Sequence, residues 1–198
     1  MEWSSIFFWL VVVFVVLYVV SIYNRLVTMR NRFKNAFAQI EVQLKRRYDL
    51  IPNLVETAKG YLSHERETLE AVIAARNEAL TGLNAAARNP SNQAAMDELV
   101  NAEKHLTSAL GKLSVVVEAY PELKASENMQ QLSEEMTSTE NRVAFARQSF
   151  NDSVMAYNTY KQSFPPVALA GLFGHGKDAS LLEFADTADI QDAPKVSF

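Results

Sequence analysis

The chain begins with a continuous apolar run. No charged residue occurs from Trp3 to Tyr23, and as a helix this run would be roughly 31 Å long at about 1.5 Å per residue. That length matches the hydrocarbon core of a bilayer, which is about 30 Å thick. A helix satisfies its own backbone hydrogen bonds and can therefore cross a region without water. The run predicts a transmembrane anchor at residues 1–24, with the span at about 3–23.

The residues that flank the run predict its direction. Basic flanks stay on the cytoplasmic side of a membrane, and bases precede the first downstream acid, Glu41. We therefore expect a single-pass protein of the bacterial cell inner membrane, with its N-terminus outside and its C-terminal domain cytoplasmic. A cleaved signal peptide is the disfavoured alternative, because the run follows an acid and lacks a small-x-small cleavage site. The expected anchor residues are Trp3, Trp9, Tyr18, Tyr23, Arg25 and Arg30.

Beyond the anchor, apolar residues recur at spacings of three and four, which is typical of amphipathic helices. The pattern predicts helices at about 25–62, 64–87, 91–119 and 126–164, separated by short turns. Four such helices joined by short turns pack best as an up-down bundle. The predicted fold is all-α, with an N-terminal transmembrane helix followed by an elongated antiparallel four-helix bundle over residues 25–164.

Residues 165–198 change in character. Val167 to Phe173 is apolar, whereas Asp178 to Asp192 contains acids and no base. This pattern predicts a docking segment followed by a mostly disordered acidic C-terminal tail. A plain solvated tail is the alternative. The segment could also dip into lipid headgroups, but it has no base before Lys177, which argues against membrane affinity.

Composition narrows the candidate functions. The net charge of −4 gives no reason to expect a nucleic-acid partner, and the absence of cysteine excludes disulfides and thiolate chemistry. His64, His105 and His175 lack the spacing of a metal site, so we expect solvated or capping side chains. The Glu-x-x-His motif of di-iron bundles is also absent. The sequence predicts no catalytic residue, no metal site and no cofactor, and hence a protein that is not an enzyme.

The most unusual polar stretch surrounds a proline inside the first predicted helix. Pro52 cannot donate a hydrogen bond to the carbonyl four residues earlier, at Tyr48. We expect a kink or local break there, with a neighbouring arginine or asparagine bonding the freed carbonyl. Two interpretations remain: a structural kink with local ion pairs, and a recognition notch for a partner protein. The stretch comprises Arg47, Tyr48, Asp49, Pro52 and Asn53.

A second group of polar residues lies on or beside the seam of the last long helix. Arg142, Arg147 and Asn151 would need partners if buried. The candidate partners are the acids Asp49, Glu118 and Glu140. Such a polar layer can fix the register of a bundle.

Together these motifs resemble the LemA family over nearly the whole chain. The resemblance rests on Tyr23-Asn24-Arg25, Arg47 to Leu54, Ala75-Arg76, Tyr120-Pro121-Glu122-Leu123, Glu140-Asn141-Arg142, Arg147, Asn151, Tyr157-Asn158 and Pro194 to Phe198. It implies a bacterial inner-membrane protein with one N-terminal span and a helical cytoplasmic domain, and it implies no known reaction. The candidate interaction residues are Arg47, Tyr48, Asp49, Pro52, Asn53, Tyr120, Pro121, Glu140, Arg147, Asn151, Tyr157 and Asn158.

These observations favour a non-enzymatic membrane-anchored scaffold or adaptor that acts through protein–protein interaction. The expected partners are the lipid bilayer, further copies of the chain and another membrane protein. The alternative is a membrane signalling or envelope-stress component that relays a signal through the helical rod and requires two conformations near Pro52. A third hypothesis, an enzyme using the carboxylates of the last helix, lacks a supporting motif.

Overall fold

The computed structural model describes residues 3–62 and 64–184, and its longest element joins the apolar run to the bundle. Helix α1 spans Trp3–Lys59, 57 residues without interruption. At about 1.5 Å per residue it is roughly 85 Å long. No glycine occurs before Gly60, and the amides of Tyr61 and Leu62 close the helix by bonding the Ala58 carbonyl at 3.0 and 2.9 Å. The anchor and the first bundle helix are therefore one element.

The remaining elements are also helical, and the all-α prediction is confirmed. No strand occurs in the part of the chain that the structure describes. Asn92 starts α3 by accepting a hydrogen bond from the Ala94 amide at 3.1 Å. Pro121 opens the short helix α4, which the periodic pattern did not predict. The elements after α1 are α2 (Arg66–Arg88), α3 (Gln93–Glu118), α4 (Pro121–Lys124), α5 (Glu127–Gln162) and α6 (Pro166–Ala170).

Packing follows the apolar stripes. Helix α1 packs lengthwise along α5 and against α2, and α2 packs against α3. The ring of Phe150 lies 6.3 Å from that of Phe33 and 5.6 Å from that of Phe37, while Tyr157 lies 5.2 Å from Phe33. Later residues of α5 thus face earlier residues of α1, which establishes their antiparallel arrangement. Aromatic rings interlock there because each helix contributes residues at helical spacing.

The first part of α1 projects beyond the bundle. Large apolar side chains are exposed at most positions from Trp3 to Val20, whereas Ile22 and Leu26 are buried. Among the described residues, α1 is the one helix long and apolar enough to cross a membrane. Its outer face therefore changes from lipid-compatible to protein-packed near Tyr23.

The segment after α6 turns back along α5. Ala179 is 6% exposed and Leu182 is fully buried. The disorder and the solvated tail considered for residues from Asp178 onward are therefore wrong as far as Phe184, because apolar side chains and backbone groups find partners on α5. Met1, Glu2, Ser63 and residues 185–198, with the rest of the acidic tail and the closing motif, lie outside the described residues.

Candidate functional site

A polar network with a buried centre and an exposed acid, Glu140, joins the three longest helices. The guanidinium of Arg47 on α1 donates to Glu103 Oε2 on α3 at 2.8 Å and to Glu140 Oε1 on α5 at 3.2 Å. The hydroxyl of Tyr48 donates to the other oxygen of Glu103. The side chains of Arg47 and Glu103 are only 6% and 3% exposed. We call Arg47, Tyr48, Glu103 and Glu140 the core network.

The electrostatics of the core network keep the Tyr48 phenol protonated. Burial raises the pKa of Tyr48 well above its usual range, and the negative charge of Glu103 raises it further, while Arg47 acts in the opposite direction. The phenol therefore remains a hydrogen-bond donor. A buried carboxylate is tolerated only when it is paired and hydrogen-bonded, and Arg47 with Tyr48 supplies both conditions for Glu103.

Glu103 was not among the residues predicted from the sequence. A usable signal existed, because Glu103 follows Leu99 by four residues and precedes Leu106 by three, which places an acid on the apolar stripe of α3. Its partner Arg47 is likewise a charged residue on the apolar stripe of α1. An acid and a base buried on different stripes indicate an interhelical pair.

The backbone carbonyl that Pro52 leaves without a helical donor has a partner on α2. Pro52 leaves the Tyr48 carbonyl without its helical donor, and Arg76 Nε donates to that oxygen at 3.1 Å. The same guanidinium lies 3.6 Å from Asp49 Oδ1 and 3.1 Å from Asn77 Oδ1. The sequence pointed to an arginine or asparagine beside Pro52, whereas the donor is Arg76, 28 residues after Tyr48, so that expectation is wrong in its residue. Of the kink or local break expected at Pro52, the break is wrong, because α1 continues to Lys59.

Two asparagines of α5 hold the returning segment by its backbone. The Asn151 amide donates to the Leu182 carbonyl at 3.1 Å and accepts from the Leu182 amide at 2.8 Å. Asn158 bonds Ala179 in the same way, at 2.9 and 3.0 Å. Asn151 and Asn158 are seven residues apart, so two helical turns place them on one face of α5. We call these two residues the asparagine clamp.

Further side chains secure the segment on either side of the clamp. The Arg147 guanidinium lies 4.9 Å from the centre of the Phe184 ring. Buried Lys161 forms an ion pair with Asp178, and this bond, with another from Gln162, lowers the pKa of the Asp178 carboxyl. Arg147 and Asn151, expected to belong to a polar layer between helices, therefore bind the returning segment.

His175 occupies a position that the sequence did not indicate. It is 4% exposed, and its Nδ1 lies 2.8 Å from the Tyr157 hydroxyl. Burial, Arg30 and Lys161 all lower the pKa of His175. The expectation of a solvated or capping side chain is wrong for this histidine. Burial also raises the pKa of Tyr157.

Several grooves open between the helices of the described chain. One, of about 890 Å³, lies between the end of α1 and α2, and we call it the distal groove. Its apolar lining includes Pro52, Val55, Leu69 and Ile73. A second groove of about 370 Å³ lies between α3 and α5, beside Arg47 and Glu140.

The other predicted residues lie apart from these groups. Asp49, Asn53, Pro121 and Arg142 are exposed, and Tyr120 is half-buried in a cleft with Tyr61. Trp3, Trp9, Tyr18 and Tyr23 are exposed on α1. Arg25 lies over the Tyr160 ring at 4.8 Å, and Arg30 acts electrostatically on His175.

The remaining ionisable groups form no compact cluster. Within residues 3–62 and 64–184, no group of three histidine, aspartate or glutamate side chains is arranged to hold a metal ion. His64 is exposed, and His105 lies 3.2 Å from Glu78 on the surface between α2 and α3.

Comparison with known proteins identifies related chains. The model of the LemA family matches residues 36–198. Magnetosome protein MamQ of Magnetospirillum gryphiswaldense is 26% identical, over 77% of this chain and 61% of that protein. Protein LemA of Metamycoplasma hominis is 26% identical, over 71% of this chain and 60% of that protein. Magnetosome protein MamQ 2 of Paramagnetospirillum magneticum is 24% identical, over 77% and 61%. The chain thus spans about three fifths of the length of these relatives.

Proposed function

Because the chain belongs to the LemA family, we propose that it is a membrane-anchored, non-enzymatic helical scaffold that acts through protein–protein interaction. In this proposal it resides in the bacterial inner membrane, with the N-terminus outside and the bundle in the cytoplasm. The four bases Arg25, Arg30, Arg32 and Lys34, which follow the apolar run, support this direction.

The observation that carries the proposal is the continuity of α1 from Trp3 to Lys59. From Tyr23 to Pro52 the helix advances about 44 Å at 1.5 Å per residue. Arg47 and Tyr48 fasten it to α3 and α5 partway along, and Arg76 fastens it to α2. A helix held in this way supports a surface at a defined distance from the bilayer.

The distal groove is the proposed contact surface for a protein partner. Its apolar floor, with Val55, Leu69 and Ile73, is flanked by Lys59 and Arg66 and by their ion-pair partners Glu56 and Glu70. An apolar centre with a charged rim is the usual anatomy of a protein interface. An amphipathic helix of a partner would match both the floor and the rim.

Photo-crosslinking in intact cells tests the contact surface. A photoreactive residue replaces Asn77, which lines the groove, and the matched control replaces Asn141, which is exposed on α5. We expect discrete adducts with one or a few proteins from position 77 and none of them from position 141. Equal adducts from the two positions, or none from position 77, would contradict the proposal.

Self-association is the second part of the proposal. Parallel copies in one membrane are already aligned, which lowers the orientational cost of assembly. The mass of the full chain in mild detergent or in lipid particles, measured by light scattering, tests this part. Masses of two or more chains are expected, and a monomer over the whole accessible concentration range would contradict it.

The topology has its own test. A reporter that is active in the cytoplasm, fused after Phe198, is expected to be active in intact cells. No activity from this reporter, together with activity of a reporter that works only in the periplasm when fused at the same position, would overturn both the direction and the assignment of partners.

A further inference from the structure

An uncharged segment lies where the bundle meets the membrane-spanning part of α1. From Ser163 to Gly176 the sequence has no acid, lysine or arginine. This segment contains α6 and connects α5 to the returning segment. Because α5 runs antiparallel to α1, the end of α5 lies beside the position where α1 leaves the apolar run.

Two ring contacts fix the level of this segment. The Tyr160 ring receives the Arg25 guanidinium at 4.8 Å from its centre. The Phe173 ring packs edge-on against Tyr23 at 5.3 Å. Tyr23 lies two residues before Arg25, the first charged residue after Glu2. The segment therefore lies at the level where the hydrocarbon core ends and the headgroups begin.

Three apolar side chains of the segment have no cover in the bundle. Phe164 is 86% exposed, Leu172 is 81% exposed and Val167 is 53% exposed. Their neighbours Ala170 and His175 are buried, so the backbone of the segment is held while these three side chains point outward. We call Phe164, Val167 and Leu172 the collar patch.

We propose that the collar patch inserts into the headgroup–acyl boundary of the bilayer that α1 crosses. The bilayer is the occupant because Phe173, the neighbour of Leu172, packs against Tyr23 where the lipid-facing surface of α1 ends. An uncharged segment can enter this boundary without desolvating an ion, and apolar side chains gain by leaving water there.

The bases missing from the segment are supplied by tertiary structure. Arg25 of α1 lies over the ring of Tyr160, three residues before the segment, and Lys177 follows the segment directly and is exposed. Cations at both ends of the segment would attract anionic headgroups. The sequence pattern argued against membrane affinity because the segment has no base before Lys177. The pattern could not show that Arg25 of α1 lies close to the start of the segment.

Insertion at the collar patch gives the bundle a second attachment point. With α1 alone in the bilayer, the bundle would tilt and rotate with that helix. Two contacts, on α1 and on the α5–α6 connection, fix the direction in which the rod projects. This inference requires only that α1 spans the bilayer and does not depend on any protein partner.

Depth-dependent fluorescence quenching tests the inference on the full chain. Trp3→Phe and Trp9→Phe provide a background without tryptophan. Phe164→Trp then reports on the patch, and Phe145→Trp is the matched control, since Phe145 is 73% exposed on α5. That control lies roughly 25 Å further from the membrane along the helix. Leu172→Trp is the second probe, and circular dichroism verifies helicity in every variant.

The proteins are compared in phosphatidylethanolamine–phosphatidylglycerol vesicles whose acyl chains carry bromine near the headgroup. We expect strong quenching and a blue-shifted emission for Phe164→Trp and Leu172→Trp, and neither effect for Phe145→Trp. Equal access of acrylamide to all three probes, without bromine quenching, would overturn the inference. In lipid discs that hold one copy, the shielding should persist, and shielding found only with two copies would assign the patch to a second chain instead.

Discussion

The Nε of Arg76 bonds the Tyr48 carbonyl oxygen at 3.1 Å, the one backbone acceptor that Pro52 deprives of its helical donor. An arginine from the neighbouring helix thus replaces the missing backbone bond. This substitution explains how α1 continues past a proline. It also couples α1 to α2 at the edge of the distal groove.

The first prediction concerns this bond. Arg76→Met should lower the free energy of unfolding by about 1–3 kcal/mol, because a largely buried carbonyl loses its partner. Pro52→Ala restores the amide donor of residue 52, so the same replacement should cost much less in that background. Denaturant unfolding of the two single variants and the double variant measures the coupling. Additive costs would show that Arg76 does not act through the Tyr48 carbonyl.

The core network yields the second prediction. Arg47→Met should cost about 3–5 kcal/mol, because the buried Glu103 carboxyl loses the cation with which it pairs. Adding Glu103→Gln should recover part of that loss, because the amide can still accept from Tyr48 without carrying charge. Arg46→Met is the control, since Arg46 is exposed and a surface change is usually within about 0.5 kcal/mol. Similar losses for Arg46→Met and Arg47→Met would contradict the network.

The asparagine clamp yields the third prediction. Asn151→Ala and Asn158→Ala each remove a donor and an acceptor from the returning segment, so the segment should detach while the bundle stays folded. The chain has no cysteine, which allows clean spin labelling at Leu181→Cys and Ser149→Cys. We expect the narrow distance distribution between these labels to broaden in both variants. Asn141→Ala on the exposed face of α5 should leave it narrow, and an unchanged distribution in the clamp variants would refute the assignment.

The fourth prediction concerns the pH dependence of the same segment. Burial, Arg30 and Lys161 lower the pKa of His175, so the released segment binds more protons than the docked one below about pH 6.5, the ordinary histidine value. The contribution of His175 to docking is therefore complete above that pH and decreases as the pH falls below it. Asp178, which bonds Lys161, has a lowered pKa and would weaken docking only in stronger acid.

The same spin-label pair measures this pH effect. The distance distribution should broaden between pH 7.5 and pH 5 in the parent chain and broaden less with His175→Asn. His105→Asn is the control, because His105 is 62% exposed and lies far from the segment along the chain. A pH response that survives His175→Asn at full size would assign the titration to another group.

The fifth prediction compares two glycines inside helices. A Cβ added at Gly82 would lie 3.2 Å from the Leu99 Cα, whereas one added at Gly111 would meet nothing within 4 Å. Gly82→Ala should therefore push α2 from α3 and cost about 1–3 kcal/mol. Gly111→Ala should stabilise the protein by about 0.5–1 kcal/mol, because alanine favours the helix. Thermal unfolding of the two variants measures these changes in stability. Equal changes for Gly82→Ala and Gly111→Ala would contradict close packing at Gly82.

The sequence by itself determined the apolar run, the helical periodicity and the all-α fold, because these depend on residues a few positions apart. The position of Pro52 in the sequence likewise indicated that the Tyr48 carbonyl would lose its helical hydrogen-bond donor. It did not indicate that α1 would continue unbroken, since the compensating bond comes from Arg76, 28 residues away.

Only the tertiary structure decided which polar groups meet. Arg47 and Glu103 are 56 residues apart, and Asn151 and Leu182 are 31 apart. A charged residue on an apolar stripe, such as Glu103, shows locally that a partner is needed, but the identity of the partner is set only when the helices pack. In the uncharged segment after α5 the sequence shows no base before Lys177, because the nearby cation Arg25 belongs to α1. Long-range packing therefore sets the polar contacts, and through them the surfaces that this membrane-anchored bundle presents.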